Sequence, residues 1–245
     1  MLYDNPDLYD VLQPASTAQL NFYCNLARAQ AGAVLELGCG SGQIIVPIAA
    51  LGRPAAGLDL SPEMLDAAQR RAVAASVKVE WIQGDMREFN LKRRFSLICV
   101  ARNSLLHLSE PDHFAAFFSS VRRHLEPGGV LAFDIFNPSF QVITRPSEER
   151  YPLMHKTSAL YGELTVEATS DYDRQSQVNR STWFISTKER RDAWVVQLDL
   201  RSIYPQELLV LLALNSARLI SRYGDFTGGV FTSKSPTQVC QCRFD

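Results

Sequence analysis

A glycine-rich turn follows the first apolar run of the chain, and this feature constrains the fold more than any other. Gly38, Gly40 and Gly42 come directly after residues 33–37, a candidate buried strand, and residues 43–51 are predicted to form a helix. Glycine permits backbone angles and close approaches that other residues resist, and a helix start offers free N–H groups. The spacing G-x-G-x-G differs from the G-x-G-x-x-G of dinucleotide-binding folds. The pattern indicates either a ligand-binding strand–turn–helix unit or a tight turn of purely structural use.

Strand and helix patterns alternate from this turn to residue 138. Ser61 is a candidate N-cap with Pro62 in the first helical position. Such alternation predicts a mostly parallel sheet that is covered by helices on both faces, a doubly wound α/β fold. The candidate strands are residues 33–37, 55–60, 77–82, 95–100 and 130–136, and the helices between them are residues 43–51, 62–75 and 111–125. Pro127-Gly128-Gly129 is predicted to stop the last of these helices.

The pattern changes after residue 138. Residues 160–203 alternate polar and apolar side chains, with strand candidates at 164–168, 181–185 and 194–198, which predicts an antiparallel meander. A helix from Tyr204 to about Ser216 and two strands, residues 217–223 and 238–243, then return to the α/β pattern. We therefore expect a core of residues 1–138 and 204–245 and an inserted antiparallel β cap of residues 139–203.

The composition and charge of the chain argue against several classes of protein. The 245 residues carry a formal net charge of −1, which lacks the basic field of a general nucleic-acid binder. The first residues show no signal-peptide pattern, and no apolar run approaches the roughly 18 residues that span a membrane. We expect a cytoplasmic protein with neither a nucleic-acid nor a membrane partner. The odd number of cysteines predicts reduced, buried thiols: Cys24, Cys39, Cys99, Cys240 and Cys242.

Metal binding is not predicted. Cys240 and Cys242 are two residues apart on a candidate strand, so they share a face, but no companion ligand pair exists in the sequence.

Acidic residues after the second and third strands suggest a nucleoside ligand. Asp59 ends the second strand, about 20 residues beyond the glycine turn, where a carboxylate accepts hydrogen bonds from ribose hydroxyls. The alternative is that Asp59 only caps the following helix. Asp85 follows the third strand and is a candidate acceptor for an adenine amino group, with Met86 packing against the base. The alternative there is an ordinary Gly-Asp turn.

These motifs together resemble a known family. Residues 34–42, 57–61, 84–86 and 125–129 are similar, in order and spacing, to the successive motifs of the Rossmann-like (class I) S-adenosylmethionine-dependent methyltransferases. The resemblance covers roughly residues 30–138, with the edge elements returning from about 204. It implies a seven-stranded sheet whose last strand is antiparallel, S-adenosyl-L-methionine as cofactor, and methyl transfer to nitrogen or oxygen of a small molecule.

The same resemblance implies which residues bind the cofactor. The glycine turn would lie against the methionine part, Asp59 would hold the ribose and Asp85 the adenine. Glu36 would orient the glycine turn or the cofactor ammonium. The full set of candidate cofactor-binding residues is Tyr3, Glu36, Gly38, Cys39, Gly40, Gly42, Asp59, Leu60, Met64, Asp85, Met86, Ala101 and Asn103.

Candidate catalytic groups lie after the fourth strand and at the start of the chain. Ligands bind beyond the carboxyl ends of parallel strands, and His107 is the best titratable group there. The alternative is that His107 only packs under the site and takes no part in catalysis. Arg102 would bind an anionic substrate group or make a surface pair. Residues 3–10 resemble the tyrosine-containing arm of small-molecule methyltransferases, so Tyr9 joins His107 as a catalytic candidate and Tyr3 is a second lid residue; the alternative is a frayed terminus.

The sequence gives weaker support to three other functions. Residues 137–140 resemble the Asn-Pro-Pro-aromatic motif of DNA adenine methyltransferases, but they follow the fifth strand instead of the fourth, and Ser139 replaces the second proline. A nicotinamide-dependent oxidoreductase is disfavoured by the missing third glycine of the dinucleotide fingerprint. A non-catalytic S-adenosylmethionine-binding regulator stays open, because methyl transfer requires no diagnostic nucleophile.

The predicted cap points to small substrates. It resembles the β-rich cap of small-molecule methyltransferases, including sugar amine and glycine-type N-methyltransferases, and in the sugar amine group a histidine follows strand four, as His107 does here. The exposed edges of a capping sheet are a candidate homodimer surface. The cap's aromatic residues would line a pocket, form the buried face of the sheet or make a dimer contact: Tyr161, Tyr172, Trp183, Phe184 and Trp194.

Overall fold

The computed structural model describes residues 2–244. Its helices are α1 (Pro6–Leu12), α2 (Thr17–Ala29), α3 (Ile45–Ala49), α4 (Pro62–Ala74), α5 (Pro111–His124), α6 (Phe140–Ile143) and α7 (Pro205–Leu214). Its strands are β1 (Val34–Leu37), β2 (Ala55–Asp59), β3 (Glu80–Gln83), β4 (Phe95–Val100), β5 (Leu125–Phe136), β6 (Tyr151–Ser158), β7 (Gly162–Asp173), β8 (Val178–Thr187), β9 (Trp194–Arg201), β10 (Ala217–Tyr223) and β11 (Thr237–Phe244).

Seven of these strands form one sheet in the order β10-β11-β5-β4-β1-β2-β3. The strands β1 to β5 pair in parallel, and β11 runs antiparallel to both of its neighbours. Every residue of the central strands β1 and β4 is buried, as expected for a sheet with helices on both faces. The predicted fold class, a doubly wound sheet with its last strand antiparallel, is confirmed.

A separate antiparallel sheet has the order β6-β7-β8-β9. The sequence predicted three of its strands and missed β6, in which Pro152 and His155 are exposed and the apolar alternation is weak. The last three strands are also longer than predicted. A cap of one antiparallel sheet therefore stands between β5 and α7.

Three boundaries in the core differ from prediction. The helix predicted for residues 43–51 spans only Ile45–Ala49, since the hydrogen bond from Gly42 N to Cys39 O extends the turn. The third strand begins at Glu80 because residue Val77 still bonds back to α4 through Ala72 O. Pro127-Gly128-Gly129 does not stop α5: that helix ends at His124, and β5 begins at once with a register shift beside β4.

The N-terminal residues are built into the fold. Leu2, Leu8 and Leu12 are buried in one apolar cluster with side chains of the small sheet, among them Val166 and Ile185. This packing supports an ordered arm over the alternative of a frayed terminus. The arm therefore lies between the small sheet and the carboxyl edge of the large sheet.

The helix α2 was not predicted, although its first residues carry a capping box in which Ser16 and Gln19 exchange hydrogen bonds. It buries Tyr23, whose hydroxyl donates to the Asp134 carboxylate at 2.6 Å. All five cysteines are buried and unpaired. Within residues 2–244, no helix combines the length and the apolar character needed to cross a bilayer.

Candidate active site

Two glycines of the turn differ in the space that a Cβ atom would have. Gly40 has a φ of +51° and Gly42 a φ of +76°, values that favour glycine. A Cβ at Gly42 would lie 3.1 Å from the Cβ of Ala68, whereas a Cβ at Gly40 would meet only the Sδ of Met64, at 4.0 Å. Gly42 is therefore required for packing, and Gly40 presents bare backbone where a ligand can approach. Gly38 has a φ of +65°, and Cys39 beside it is buried.

Asp59 connects this turn to α4. One carboxylate oxygen accepts a hydrogen bond from the backbone N–H of Gly40 at 2.7 Å, and the other accepts from Ser61 N at 2.9 Å. Burial raises the pKa of Asp59, although these backbone donors oppose the shift. Asp59 does support the start of α4, as the alternative stated, and it also fixes the glycine turn.

Glu36 is a buried carboxylate with an unused oxygen. It is 2% exposed at the end of β1, and its Oε2 atom has no hydrogen-bond partner. Burial raises its pKa well above the usual range, and the carboxylates of Asp59 and Asp134 raise it further. Buried carboxylates are normally paired, so this one fits a cationic group delivered by a ligand. The unused acceptor oxygen of Glu36 thus fits an amino acid ammonium, as found in S-adenosylmethionine.

The side of the site predicted for adenine is more open. Leu60 is 67% exposed, whereas Met64 is buried against the turn, and Met86 is partly buried against the core. The carboxylate of Asp85 is bonded by the guanidinium of Arg87, which lowers the pKa of Asp85. Asp85 is therefore part of an ion pair, and its adenine contact stays a prediction.

Two successive residues after β4 adopt the left-handed conformation. Arg102 and Asn103 have φ values of +62° and +65°. The backbone N–H of Arg102 donates to Asp134 at 2.9 Å, and the side-chain oxygen of Asn103 accepts from Phe136 N at 2.7 Å. These bonds stabilise a sharp bend, and the side chain of Asn103 is used to bond the backbone of β5. Ala101, the residue before the bend, is buried. Backbone held in such a rare region is typical of functional sites.

His107 pairs with the arm. Its Nε2 lies 2.8 Å from the hydroxyl of Tyr3, and the two rings meet edge to face. Tyr9 lies next to this pair, with its ring centroid 5.7 Å from that of Tyr3. Surrounding protein lowers the pKa of His107, a shift that Asp199 opposes, although the ring keeps an exposed edge. At neutral pH His107 is therefore an unprotonated imidazole with a lone pair to offer.

A cavity of about 200 Å³ lies between the arm, the bend after β4 and the small sheet. Of the cap's aromatic residues, Trp183 lines it; Tyr161 packs on Trp194, and Phe184 lies under Arg150. The residues around the cavity are Leu2, Tyr3, Tyr9, Gln13, Pro14, Gln19, Arg102, Asn103, His107, Trp183, Leu198 and Leu200.

A group of polar contacts that the sequence did not reveal attaches the arm to the glycine turn. Asp10 accepts from Ser41 Oγ at 2.5 Å, from Gln43 Nε2 at 2.6 Å and from the guanidinium of Arg71 at 2.5 Å. We call Asp10, Ser41, Gln43 and Arg71 the arm clasp. Arg71 also donates to Ser41 O at 2.8 Å, which ties α4 into the same cluster. The clasp therefore attaches the arm to residues within and directly after the glycine turn.

Comparison with known proteins agrees with this geometry. A family model described as "Methyltransferase domain" matches residues 34–129. A protein of Geobacillus sp. (strain WCH70), named as a methyltransferase, is 33% identical over 188 residues, which cover 70% of this chain and 74% of that protein. The chain belongs to the S-adenosylmethionine-dependent methyltransferase family. S-adenosyl-L-methionine is accordingly its cofactor, and the predicted resemblance is confirmed.

Two further methyltransferases extend the comparison. The dTDP-3-amino-3,4,6-trideoxy-alpha-D-glucopyranose N,N-dimethyltransferase of Streptomyces venezuelae is 31% identical over 138 residues, 54% of this chain and 56% of that enzyme. The chain thus spans about half of that enzyme's length. The CcbJ methyltransferase from Streptomyces caelestis has the same fold, with a TM-score of 0.80 at 24% identity over 94% of this chain and 97% of that chain.

Proposed function

We propose that this methyltransferase transfers a methyl group to the nitrogen of a small-molecule acceptor. The observation that carries the proposal is the cavity of about 200 Å³ that is lined by the arm, by the bend after β4 and by the unprotonated His107. A space of this size suits part of a small molecule and not a folded macromolecule. The sugar amine substrate named for the Streptomyces venezuelae relative supports nitrogen over oxygen.

The residues of the large sheet would hold the cofactor. Glu36 would pair with its ammonium group, the backbone at Gly40 would contact its methionine part, and Asp59 would accept from its ribose. Leu60 and Met64 would contact the adenine. When bound, S-adenosylmethionine supplies a methyl group on a positively charged sulfur, which retains the electron pair of the broken bond. The protein's main task is to align the acceptor and exclude water.

His107 and Tyr3 would together remove the proton of the amine acceptor. An amine acceptor carries a proton at neutral pH and must lose it to expose its lone pair. The imidazole of His107 is available for that proton because its lowered pKa keeps it unprotonated at neutral pH. The hydroxyl of Tyr3, whose pKa is raised by burial, stays protonated, and its oxygen would accept from Nε2–H across the 2.8 Å contact, which leaves the lone pair of the ring on Nδ1 for the proton of the acceptor. Tyr9 would close the cavity beside them.

We further propose that the core and the cap have the separate roles that the sequence predicted. Residues 1–138 and 204–245 would form the cofactor-binding core, and the cap of residues 139–203 would select the acceptor. Trp183, Leu198 and Leu200 support this, because these three apolar side chains of the cap line the cavity together with Arg102, Asn103 and His107 of the core.

Binding and turnover experiments test the function. We expect S-adenosylmethionine and S-adenosylhomocysteine to bind the wild-type protein in calorimetry, and NAD to give no heat. We also expect a methyl-labelled cofactor to label at least one member of a panel of aminodeoxysugars and other small primary and secondary amines. Absence of cofactor binding by a folded sample would refute the proposal. Cofactor binding without labelling of any amine would favour the regulatory alternative.

We propose a homodimer through the cap as well. The strand β9 ends the small sheet with an unpaired edge, and Val195 on it is 55% exposed. An exposed strand edge is a ready site for pairing with a second copy. Light scattering after size-exclusion chromatography is expected to give twice the chain's mass, and Val195→Lys to give the monomer. A wild-type protein that elutes as a monomer at micromolar concentration would contradict this.

A further inference from the structure

A second cavity, of about 230 Å³, lies at the amino edge of the large sheet and is lined mainly by basic side chains. Its lining comes from the loop that directly precedes β4 and from the last turn of α5, which directly precedes β5. Because β4 and β5 pair in parallel, their amino ends lie side by side at this edge. We call it the basic cavity, and its residues are Asn90, Lys92, Arg93, Arg94, Arg123 and His124.

The loop before β4 is fixed to α5 by the buried imidazole of His124. Its Nδ1–H donates to Ser120 O at 2.7 Å, and its Nε2 accepts from the backbone N–H of Leu91 at 2.9 Å. The ring of Phe89 packs on the imidazole with the two centroids 4.5 Å apart. Lys92 follows Leu91 with a left-handed φ of +52°. Both ring nitrogens of His124 are therefore used to hold the cations of the loop beside the end of α5.

The charge of the basic cavity is not balanced by the protein. Arg93 pairs with Glu80 at 2.5 Å. Within residues 2–244, no carboxylate lies at ion-pair distance from Lys92, Arg94 or Arg123, and no acidic residue lines the cavity. The chain as a whole has a formal net charge of −1, so this concentration of cations does not follow from a general excess of basic residues.

The position of the cations goes beyond what helix α5 requires. A cation in the last turn of a helix is favoured by the helix dipole, and this accounts for Arg123. It does not account for Lys92 and Arg94, which the loop adds beside that turn. Like charges around one small cavity repel one another, and a bound anion would be attracted by all of them at once. The basic cavity is therefore suited to an anionic ligand.

The size and charge of the cavity indicate a compact ligand with more than one anionic group. A guanidinium binds phosphate oxygens through two parallel N–H groups, and a lysine ammonium adds a point charge. A diphosphate has charged oxygens on both phosphorus atoms, so it can contact several of these cations together. A nucleic acid would need a basic stripe that extends along the surface, whereas these cations surround a single cavity.

We propose that the basic cavity is a second ligand site, which binds the diphosphate group of a small molecule through Arg94, Arg123 and Lys92. The site is remote from the candidate active site. Arg94 directly precedes β4 and Arg102 lies beyond its end, so a strand of six residues, roughly 20 Å long, separates them. The ligand would therefore bind at the same time as the cofactor. The proposal does not depend on the proposed methyl transfer.

Calorimetry with inorganic diphosphate tests the site without turnover. We expect diphosphate to bind the wild-type protein at low salt, more tightly than inorganic phosphate and with an affinity that falls as the salt concentration rises. Saturating S-adenosylhomocysteine should leave this affinity unchanged. Arg94→Gln and Arg123→Gln should each weaken diphosphate binding by about 3- to 10-fold, the effect of losing a charged contact at a partly exposed site.

Two control variants remove one positive charge elsewhere. Arg70→Gln changes an exposed position on α4, and Arg102→Gln removes a cation from the cavity beside His107. Neither should change the affinity for diphosphate by more than about twofold. A thermal unfolding curve for each variant verifies that it is folded.

A further titration with ADP identifies the source of the diphosphate group. If ADP binds more tightly than inorganic diphosphate and is weakened by the same two substitutions, Arg94→Gln and Arg123→Gln, the site takes a nucleotide. Equal affinities would show that the diphosphate group alone is recognised. Either result supports the proposal.

Four results would overturn the proposal. The first is a folded wild-type protein that binds neither diphosphate nor ADP at low salt. The second is an equal loss in Arg70→Gln and Arg94→Gln, which would show a general effect of charge. The third is a loss in Arg102→Gln or competition by S-adenosylhomocysteine, which would place the anion in the candidate active site. The fourth is binding of a single-stranded RNA oligonucleotide alone, which would assign these cations to a macromolecular surface. Failure to bind S-adenosylhomocysteine would refute only the proposed function.

Discussion

Replacing His107 with alanine is expected to lower the rate of methyl transfer by about 10²- to 10⁴-fold, the usual loss when a general base is removed. The imidazole faces the cavity, and its Nε2 lies 2.8 Å from the Tyr3 hydroxyl. Without it, an amine acceptor would have to lose its proton to water. Single-turnover measurements with a methyl-labelled cofactor give the rate of the chemical step. The affinity for S-adenosylhomocysteine should not change.

The pH dependence of the wild-type rate is an independent test of whether the unprotonated form of His107 is the active one. Burial lowers the pKa of His107 below its usual 6.5, and Asp199 only partly opposes this. The active form is the unprotonated ring, so the rate should fall as the pH drops through that lowered value. Titration of Tyr3 adds no change in the rate near neutral pH, because burial raises the pKa of Tyr3. The acid limb that belongs to His107 should be absent in the His107→Ala variant.

A second substitution distinguishes proton transfer from positioning. His107→Asn retains a polar group that can bond to Tyr3, but it cannot accept a proton at neutral pH. If His107 is the base, the asparagine variant should be as slow as the alanine variant. Recovery of the rate in His107→Asn, or a loss below about tenfold in His107→Ala, would show a positioning role instead.

The parts of this molecule that the sequence predicted correctly depend on local signals. The glycine turn, the N-cap at Ser61 and the acidic residue at the end of β2 are each defined within a few neighbouring residues. Their order fixes a parallel sheet, because parallel strands require crossover helices. The position of His107 beyond β4 followed from the same rule.

The parts that the sequence did not reveal depend on contacts between distant residues. Tyr3 and His107 are separated by 104 positions, Asp10 and Arg71 by 61, and Arg102 and Gln13 by 89. No periodicity or spacing reports such pairs. The sequence therefore named His107 and left Arg102 ambiguous, but it gave no sign of the arm clasp. The strand β6 was missed for a different reason, since an edge strand with exposed side chains lacks the apolar alternation of a half-buried strand.

Replacing Asp59 with alanine is expected to weaken binding of S-adenosylhomocysteine by about 1–3 kcal/mol, the cost of leaving polar groups without a buried charged partner. Asp59 already accepts from Gly40 N and Ser61 N, and its remaining lone pairs are the ones predicted to hold the ribose hydroxyls. Part of the loss would therefore come from the glycine turn and part from the ligand. Calorimetry gives the total, and Asp66→Ala on the exposed face of α4 is the matched control.

A ligand without a ribose hydroxyl separates the two contributions. The 2′-deoxy form of S-adenosylhomocysteine lacks one of the donors that Asp59 is predicted to bind. If Asp59 holds the ribose, Asp59→Ala should cost this ligand less affinity than it costs the parent compound, because one of the lost hydrogen bonds is already missing. An equal loss for both ligands would mean that Asp59 acts only by shaping the turn through Gly40 and Ser61. The difference between the two losses is the coupling free energy of the carboxylate with that hydroxyl, and it does not include the damage to the turn.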